Sequence, residues 1–337
     1  MLVILIIIGL VGVLLALSVR QTRFPRLRNL SMGLLITYSF LVALLAAGEL
    51  YFRYVFAESD GVPTLAMQNW IDRYWHLNSA NFRDAEWQPE TWEGRESILL
   101  IGDSFTAGWG IENSEDRFGD VLARELGDAY VVLNLGKEGA STVEELEILR
   151  EAPIQNPDIV ILQYTLNDIE IAALSIGLDP GLNPMSTVPF WAQDSYLGNF
   201  LYWRLAIIFA PQNRGSETYQ QFLYNMFDHS VVWEIHFEQL AEFARAVEAR
   251  GAELYIVIFP DLFTPFNSIP YVDRVAQAFE SLGYDEARII RLFDFAETFP
   301  LEERVVSMRD GHPSAAFSTA VGEMLYQEWF LNTEAGS

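Results

Sequence analysis

Two long uncharged stretches near the start of the chain constrain it more than any other feature. Leu2–Val19 carries no charge, and neither does Ser31–Gly48. Each approaches the ~20 residues an α-helix needs to cross a bilayer. Between them, Arg20–Leu30 holds Arg20, Arg23, Arg26 and Arg28, with Pro25 near its middle. Two apolar helices joined by a basic turn predict a transmembrane hairpin, and positive turns stay cytoplasmic. Glu49 and Arg53 then mark the exit, where Tyr51, Phe52 and Tyr54 suit a membrane interface. A cleaved signal peptide would carry positive charge ahead of the first run, where only Met1 stands. The expectation is a protein of the cytoplasmic membrane, anchored through residues 1–55, with all that follows extracytoplasmic.

The rest of the chain has a different character. Of the 337 residues, 51% are hydrophobic, and the formal net charge is -25. The first fifty residues hold four arginines and one glutamate, so the remainder carries -28. Such a body repels nucleic-acid phosphates and reads mainly as a solubilising surface. With no cysteine, disulfides, thiol nucleophiles and cysteine metal sites are excluded.

Residues 56–96 are aromatic and polar without a clear period, an irregular lead-in. Short apolar runs then alternate with helical spacing. Ser97–Gly102, Tyr130–Leu135, Asp158–Tyr164, Ala252–Pro260 and Arg288–Phe293 read as buried strands. Glu115–Leu126, Val143–Arg150, Val232–Arg250 and Tyr271–Leu282 read as helices, and a closing helix runs from Pro313 to about Phe330. This alternation predicts a parallel sheet covered on both faces, a domain spanning 97–332. Ligands bind at the carboxyl ends of such strands. The stretch Ile171–Ser230 is too long for a simple connection. Pro180, Pro184, Pro189, Trp191, Trp203 and Pro211 within it suggest a cap at about 171–230. Its segment Leu197–Ala210 is apolar enough to touch a membrane, but ordinary packing against the core is the expected reading.

The chemistry-bearing residues fall where the strands end. After the first strand comes Gly102-Asp103-Ser104-Phe105-Thr106. A serine on a strand-to-helix turn is exposed and near free backbone N–H groups, as a nucleophile requires. After the second strand, Gly139 can turn its N–H toward a developing oxyanion with no side chain in the way. After the third, Asn167 offers a side-chain amide donor. Just before the last helix, Asp310-Gly311-His312-Pro313 offers His312 as general base and Asp310 as its orienting carboxylate. Asp103 and Asp168 read as turn caps. Trp109 is a candidate for stacking on a sugar or acyl group, or for plain packing. His76, His229 and His236 have no metal-ligand spacing.

Together these blocks resemble the SGNH hydrolases, or GDSL-type esterases, and in particular membrane-anchored members. Ser104, Gly139, Asn167 and His312 stand in that family's order, and the resemblance runs from about Ser97 to Phe330. The lead-in Leu77-Asn78-Ser79-Ala80-Asn81-Phe82-Arg83 also resembles a segment ahead of the serine block in anchored members. Two positions depart from the pattern. Leu166 replaces the usual glycine before Asn167, and Arg309 stands three before His312, where the family often has its aspartate. Asp310, two before, shares a side with His312 in extended backbone. The resemblance implies a three-layer α/β/α sandwich with a five-stranded parallel sheet, flavodoxin-like, behind the transmembrane hairpin. It implies an acyl-enzyme on Ser104, an oxyanion hole of Ser104, Gly139 and Asn167, and no metal or cofactor. The expected reaction is hydrolysis of an O-acyl ester, acetyl or short acyl, on a carbohydrate or lipid. Two alternatives stay open: O-acyl transfer to a cell-surface glycan by the same residues, and a non-catalytic surface module.

Overall fold

Five apolar runs pair because each is buried on both faces and can satisfy its backbone groups only through neighbouring strands. In the computed structural model, which describes residues 2–21, 24–61, 64–179, 188–209 and 219–331, they are β1 (Glu96–Gly102), β2 (Tyr130–Gly136), β3 (Ile159–Tyr164), β4 (Glu253–Ile258) and β5 (Ile289–Arg291). The sheet order is β2-β1-β3-β4-β5 and every pair is parallel. One face carries the helices Thr142–Glu151, Ser230–Glu248 and Pro265–Ser281 over Leu99, Ile101, Leu162 and Ile256. The other carries Phe118–Leu126 and Ala315–Tyr326 over Ile98, Leu100, Ile161 and Val257. Alternate residues of one strand thus feed opposite cores, and the result is a three-layer α/β/α sandwich. The strand order reverses between β1 and β3, the switch point where such sheets bind ligands.

Some boundaries differ from the sequence reading. The helix expected from Tyr271 starts at Pro265, a proline at the first helical position, where the missing N–H costs little, and it carries Pro270 in its interior. Pro313 ends an antiparallel hairpin, β6 (Val305–Ser307) with β7 (Asp310–Pro313), and the closing helix starts after it, with Ser314 capping Phe317 N at 3.1 Å.

The chain forms two compact units. The first comprises residues 1–58, 62–73 and 183–212; the second comprises 59–61, 74–182 and 213–337. In the first unit the apolar helices Leu2–Gln21 and Pro25–Tyr54 pack together. Ser18 and Ser31 hydroxyls bond at 2.9 Å, and a Cβ on Gly12 would touch the Tyr38 ring. Pro25–Tyr54 is long and apolar enough to span a membrane, with a mean hydropathy of 2.1 over its best window.

Within the stretch 171–230, three whole helices are described. Its helices Phe190–Gln193 and Tyr196–Phe209 belong to the first unit, the latter packed on Pro25–Tyr54, while Tyr219–Asp228 belongs to the second. On Tyr196–Phe209, Leu197 lies against Gly48, and Phe200 stacks on Phe52, so these apolar side chains pack on the Pro25–Tyr54 helix. Periodicity could not show this, because it reports an apolar face and not what covers it. Pro180, Pro184 and Pro211 lie outside the described residues.

Candidate active site

β1 delivers the serine. It ends at Gly102, and Ser104 opens a single helical turn, Ser104–Ala107, whose N-cap is Asp103 accepting from Phe105 N at 2.8 Å. β2 ends level with β1, Gly136 opposite Gly102, and a Cβ on Gly136 would collide with the backbone of Thr106 and Ala107. Glycine is required there so that the β2 end can approach the serine turn.

Buried side chains outside the four sequence blocks hold this turn in place. Gln163, fully buried on β3, accepts from Asp103 N (3.3 Å), Thr106 N (3.2 Å) and Thr106 Oγ1 (2.7 Å). Asn134 on β2 donates to Thr106 O at 2.9 Å and accepts from Gly136 N at 3.0 Å. Arg83, from the lead-in, donates to the carbonyls of Gly108 (2.6 Å) and Ile111 (2.7 Å), just past the turn. Burial and the nearby Arg117 push its guanidinium down to about 10, so it stays charged at neutral pH. The signal available in the sequence was one polar residue in each strand, Gln163 in Ile-Val-Ile-Leu-Gln-Tyr and Asn134 in Val-Val-Leu-Asn-Leu-Gly. A buried polar residue in a strand must find partners.

His312 reaches the serine from the far end of the chain. His312 Nε2 lies 2.9 Å from Ser104 Oγ, and His312 Nδ1 lies 2.5 Å from Asp310 Oδ1. Both residues ride on β7, where positions two apart share a face, so the short Asp-to-His spacing closes without strain. The other Asp310 oxygen accepts from Ser59 Oγ at 2.6 Å. Burial alone would push Asp310 up, but the hydrogen bonds and charge of His312, together with Ser59, hold it below the ordinary carboxylate range. Ser59 carried no signal in the sequence, 251 residues before its partner.

Asn167 follows β3 in a short 3-10 turn, Leu166–Ile169. The Thr165 hydroxyl lies against both its side chain and Asp103 Oδ2. Gly139 sits in the loop after β2 at φ +71°, with open space where a Cβ would be. Its neighbour Glu138 is pushed up by burial and pulled down by the charge of His312. Trp109 is buried, packed edge-on to Trp75 and 6.2 Å from the His312 ring, which makes it packing and not a stacking platform. Asp103 caps its turn as expected, while both Asp168 carboxyl oxygens are buried without a hydrogen-bond partner among the described residues. His236 is buried against Tyr164 Oη at 2.7 Å, and burial lowers it to about 4. Among the described residues no cluster of three His, Cys, Asp or Glu could hold a metal ion.

A cavity of about 510 Å³ opens beside Ser104, His312 and Asn167. Phe105, Leu166, Leu223, Pro260, Leu262 and Phe263 give it apolar walls, and Tyr219 and Tyr224 contribute from the helix Tyr219–Asp228.

The GDSL-like lipase/acylhydrolase family model matches residues 100–319, which includes the serine turn and β7. The chain belongs to that family. It is accordingly a carboxylic ester hydrolase. Solved structures with a similar fold include the lipase Lip_vut3 from a goat rumen metagenome, at 16% identity and TM-score 0.44, covering 70% of this chain and 98% of that one. A carbohydrate acetylesterase family member from Sinorhizobium meliloti aligns at 19% identity and TM-score 0.36, covering 72% of this chain and 100% of that one. A lipolytic G-D-S-L family protein from Veillonella parvula aligns at 12% identity and TM-score 0.40, covering 70% and 98% respectively. No curated protein matches the chain. Within the GDSL-like family match, Leu166 and Arg309 are the departures noted above, and this chain has Asp310 on β7 at hydrogen-bond distance from His312.

Proposed function

We propose that this acylhydrolase is a membrane-anchored serine esterase acting outside the cytoplasmic membrane through an acyl-enzyme on Ser104. One observation carries the reading: the unbroken line from Ser104 Oγ through His312 to Asp310, at 2.9 and 2.5 Å. His312 accepts the serine proton as Oγ attacks the ester carbonyl. Asp310 holds the ring with Nδ1 protonated and favours the imidazolium that forms. The Ser104 and Gly139 N–H groups and the Asn167 amide hold the oxyanion, each such donor worth a factor of about 10²–10³. The proton on His312 Nε2 then passes to the leaving alkoxide. Water, deprotonated by the same nitrogen, attacks the acyl carbonyl and releases the acid.

The apolar cavity receives the acyl portion. Its walls favour hydrocarbon over a hydrated sugar, so the carbohydrate or lipid part of the substrate is the leaving alcohol. The Pro25–Tyr54 helix, with Leu2–Gln21 as its partner and the arginines as a cytoplasmic turn, is the anchor. A fluorophosphonate tests the nucleophile. Covalent label on the Ser104 peptide, lost in Ser104→Ala together with ester hydrolysis, is the expected result. Unchanged hydrolysis by Ser104→Ala refutes the assignment. A series of aryl esters of rising chain length tests the cavity, and kcat/KM is expected to rise beyond acetyl.

A further inference from the structure

The insertion carries exposed aromatic residues that the chemistry does not use. Phe190 is 66% exposed and Trp191 39%, and Leu201 and Leu205 on the following helix are also exposed. What makes them informative is the height at which they are held against the Pro25–Tyr54 helix. Glu49 on that helix accepts from Ser195 Oγ (2.8 Å), Tyr196 N (3.1 Å) and Leu197 N (3.0 Å), so it caps the Tyr196–Phe209 helix from outside. Arg53, one turn on, pairs with Glu49 at 2.7 Å, donates to Asp194 O at 2.9 Å and lies over the Tyr196 ring. A Cβ on Gly48 would touch Leu197, Phe52 stacks on Phe200, and Arg204 pairs with Glu58 at 2.7 Å. The Tyr196–Phe209 helix therefore runs alongside the end of the apolar helix in the same direction, with Ser195 level with Glu49. Phe190–Gln193 folds back on it, Trp191 O against Gly198, Ala192 O accepting from Asn199 and the Trp191 ring 6.0 Å from Tyr202, beside the turn that holds Leu50–Tyr54.

That level has a physical meaning. From Arg28 to Gly48 is roughly 20 residues of helix, about 30 Å, the thickness of a hydrocarbon core. With Arg28 among the inner headgroups, Gly48 meets the outer boundary. The carboxylate and guanidinium found there are paired with each other and with backbone groups, as charges at a membrane surface must be. Leu44 and Leu45 on the anchor helix are exposed below this height, and Leu50, Tyr51 and Tyr54 just beyond it. Phe190 and Trp191 extend that apolar and aromatic surface sideways. Aromatic side chains favour this layer, where ring and headgroup meet.

We propose that the Phe190–Trp191 tip is a second membrane contact, buried in the headgroup region of the leaflet through which Pro25–Tyr54 leaves the bilayer. The Glu49 cap sets its depth. This rests on the anchor reading above, and the test separates the two. The chain has no cysteine, so single-cysteine variants of the full chain take one fluorophore each. Phe190→Cys, Leu50→Cys and Ile36→Cys, labelled with a nitrobenzoxadiazole dye, are reconstituted in phosphatidylcholine–phosphatidylglycerol vesicles bearing spin-labelled lipids. The expected result is blue-shifted emission at Phe190→Cys, quenched by a shallow spin label as strongly as at Leu50→Cys, with Ile36→Cys quenched by a deep one. Emission at Phe190→Cys like that of the free dye in buffer, beside a quenched Ile36→Cys, overturns the second contact and leaves the anchor standing. An unquenched Ile36→Cys overturns both. Shielding at Phe190→Cys that ignores spin-labelled lipid and fades at lower protein-to-lipid ratio means a second copy covers the tip, which also overturns the proposal. Adding Glu49→Leu is expected to remove most of the quenching at Phe190→Cys while Ile36→Cys is unchanged; full retention refutes the role of the cap.

Discussion

Ser104, His312, Asp310 and Ser59 form a chain of four hydrogen-bonding side chains, and Asp310 and Ser59 make separable predictions. Asp310→Asn keeps the shape but presents an amide to Nδ1, which favours the wrong imidazole tautomer. kcat is expected to fall about 10³–10⁴-fold with KM little changed, measured on a soluble aryl ester. Ser59→Ala leaves Asp310 ionised at neutral pH but removes one of the contacts that keep it low. A smaller loss in kcat, about tenfold, is expected. A Ser59→Ala enzyme as inactive as Asp310→Asn would contradict this ordering. Gln163→Leu strips the acceptor from two backbone N–H groups and a hydroxyl at the serine turn. Stability is expected to drop by about 3 kcal/mol in urea titration, beside a drop in kcat.

At the scale of elements, β1 and β3 flank the switch point and carry the serine turn and the Asn167 turn, while β7 brings the base to them. Behind this junction lie Glu145 on the Thr142–Glu151 helix and Asp168 after β3, both buried with no hydrogen-bond partner for their carboxyl oxygens among the described residues. Burial, and then their mutual repulsion with Asp103, pushes both well above the ordinary carboxylate range. A raised folded pKa means that the folded protein binds more protons than the unfolded chain between the two values. Stability then falls as pH rises through that window and is regained as pH falls. Glu145→Gln is expected to raise stability at pH 8 and to flatten the slope of unfolding free energy against pH by up to about 1.4 kcal/mol per unit. An unchanged slope would show that Glu145 does not take up a proton on folding.

On the scale of the whole molecule, the two units have different solvents to satisfy. The catalytic unit closes its apolar surface between sheet and helices. The first unit leaves Leu30, Leu34, Ile36, Phe40, Leu44 and Leu45 more than half exposed along the Pro25–Tyr54 helix, a surface that lipid would cover in the anchor proposed above. The full chain is therefore expected to stay with membranes through high-salt and alkaline washing and to leave them in detergent. Release by salt alone would exclude a spanning anchor.

The order of strands and helices, the two apolar helices and the four site blocks were legible from residue order. Periodicity and strand-end position report directly which faces are buried and which loops lie at the carboxyl edge. Asp310 was legible for the same reason, since a two-residue spacing in extended backbone places both side chains on one side. Partners distant in the sequence were not. Ser59 meets Asp310, Arg83 holds the carbonyls beyond the serine turn, and Glu49 caps a helix that starts at Tyr196. A polar side chain declares in the sequence that it needs a partner, but packing decides which one. The same holds for residues 190–209: their apolar character was readable, but only the fold could bring Leu197 and Phe200 against the Pro25–Tyr54 helix, because hydrophobic burial is non-directional and takes whichever surface the chain brings near.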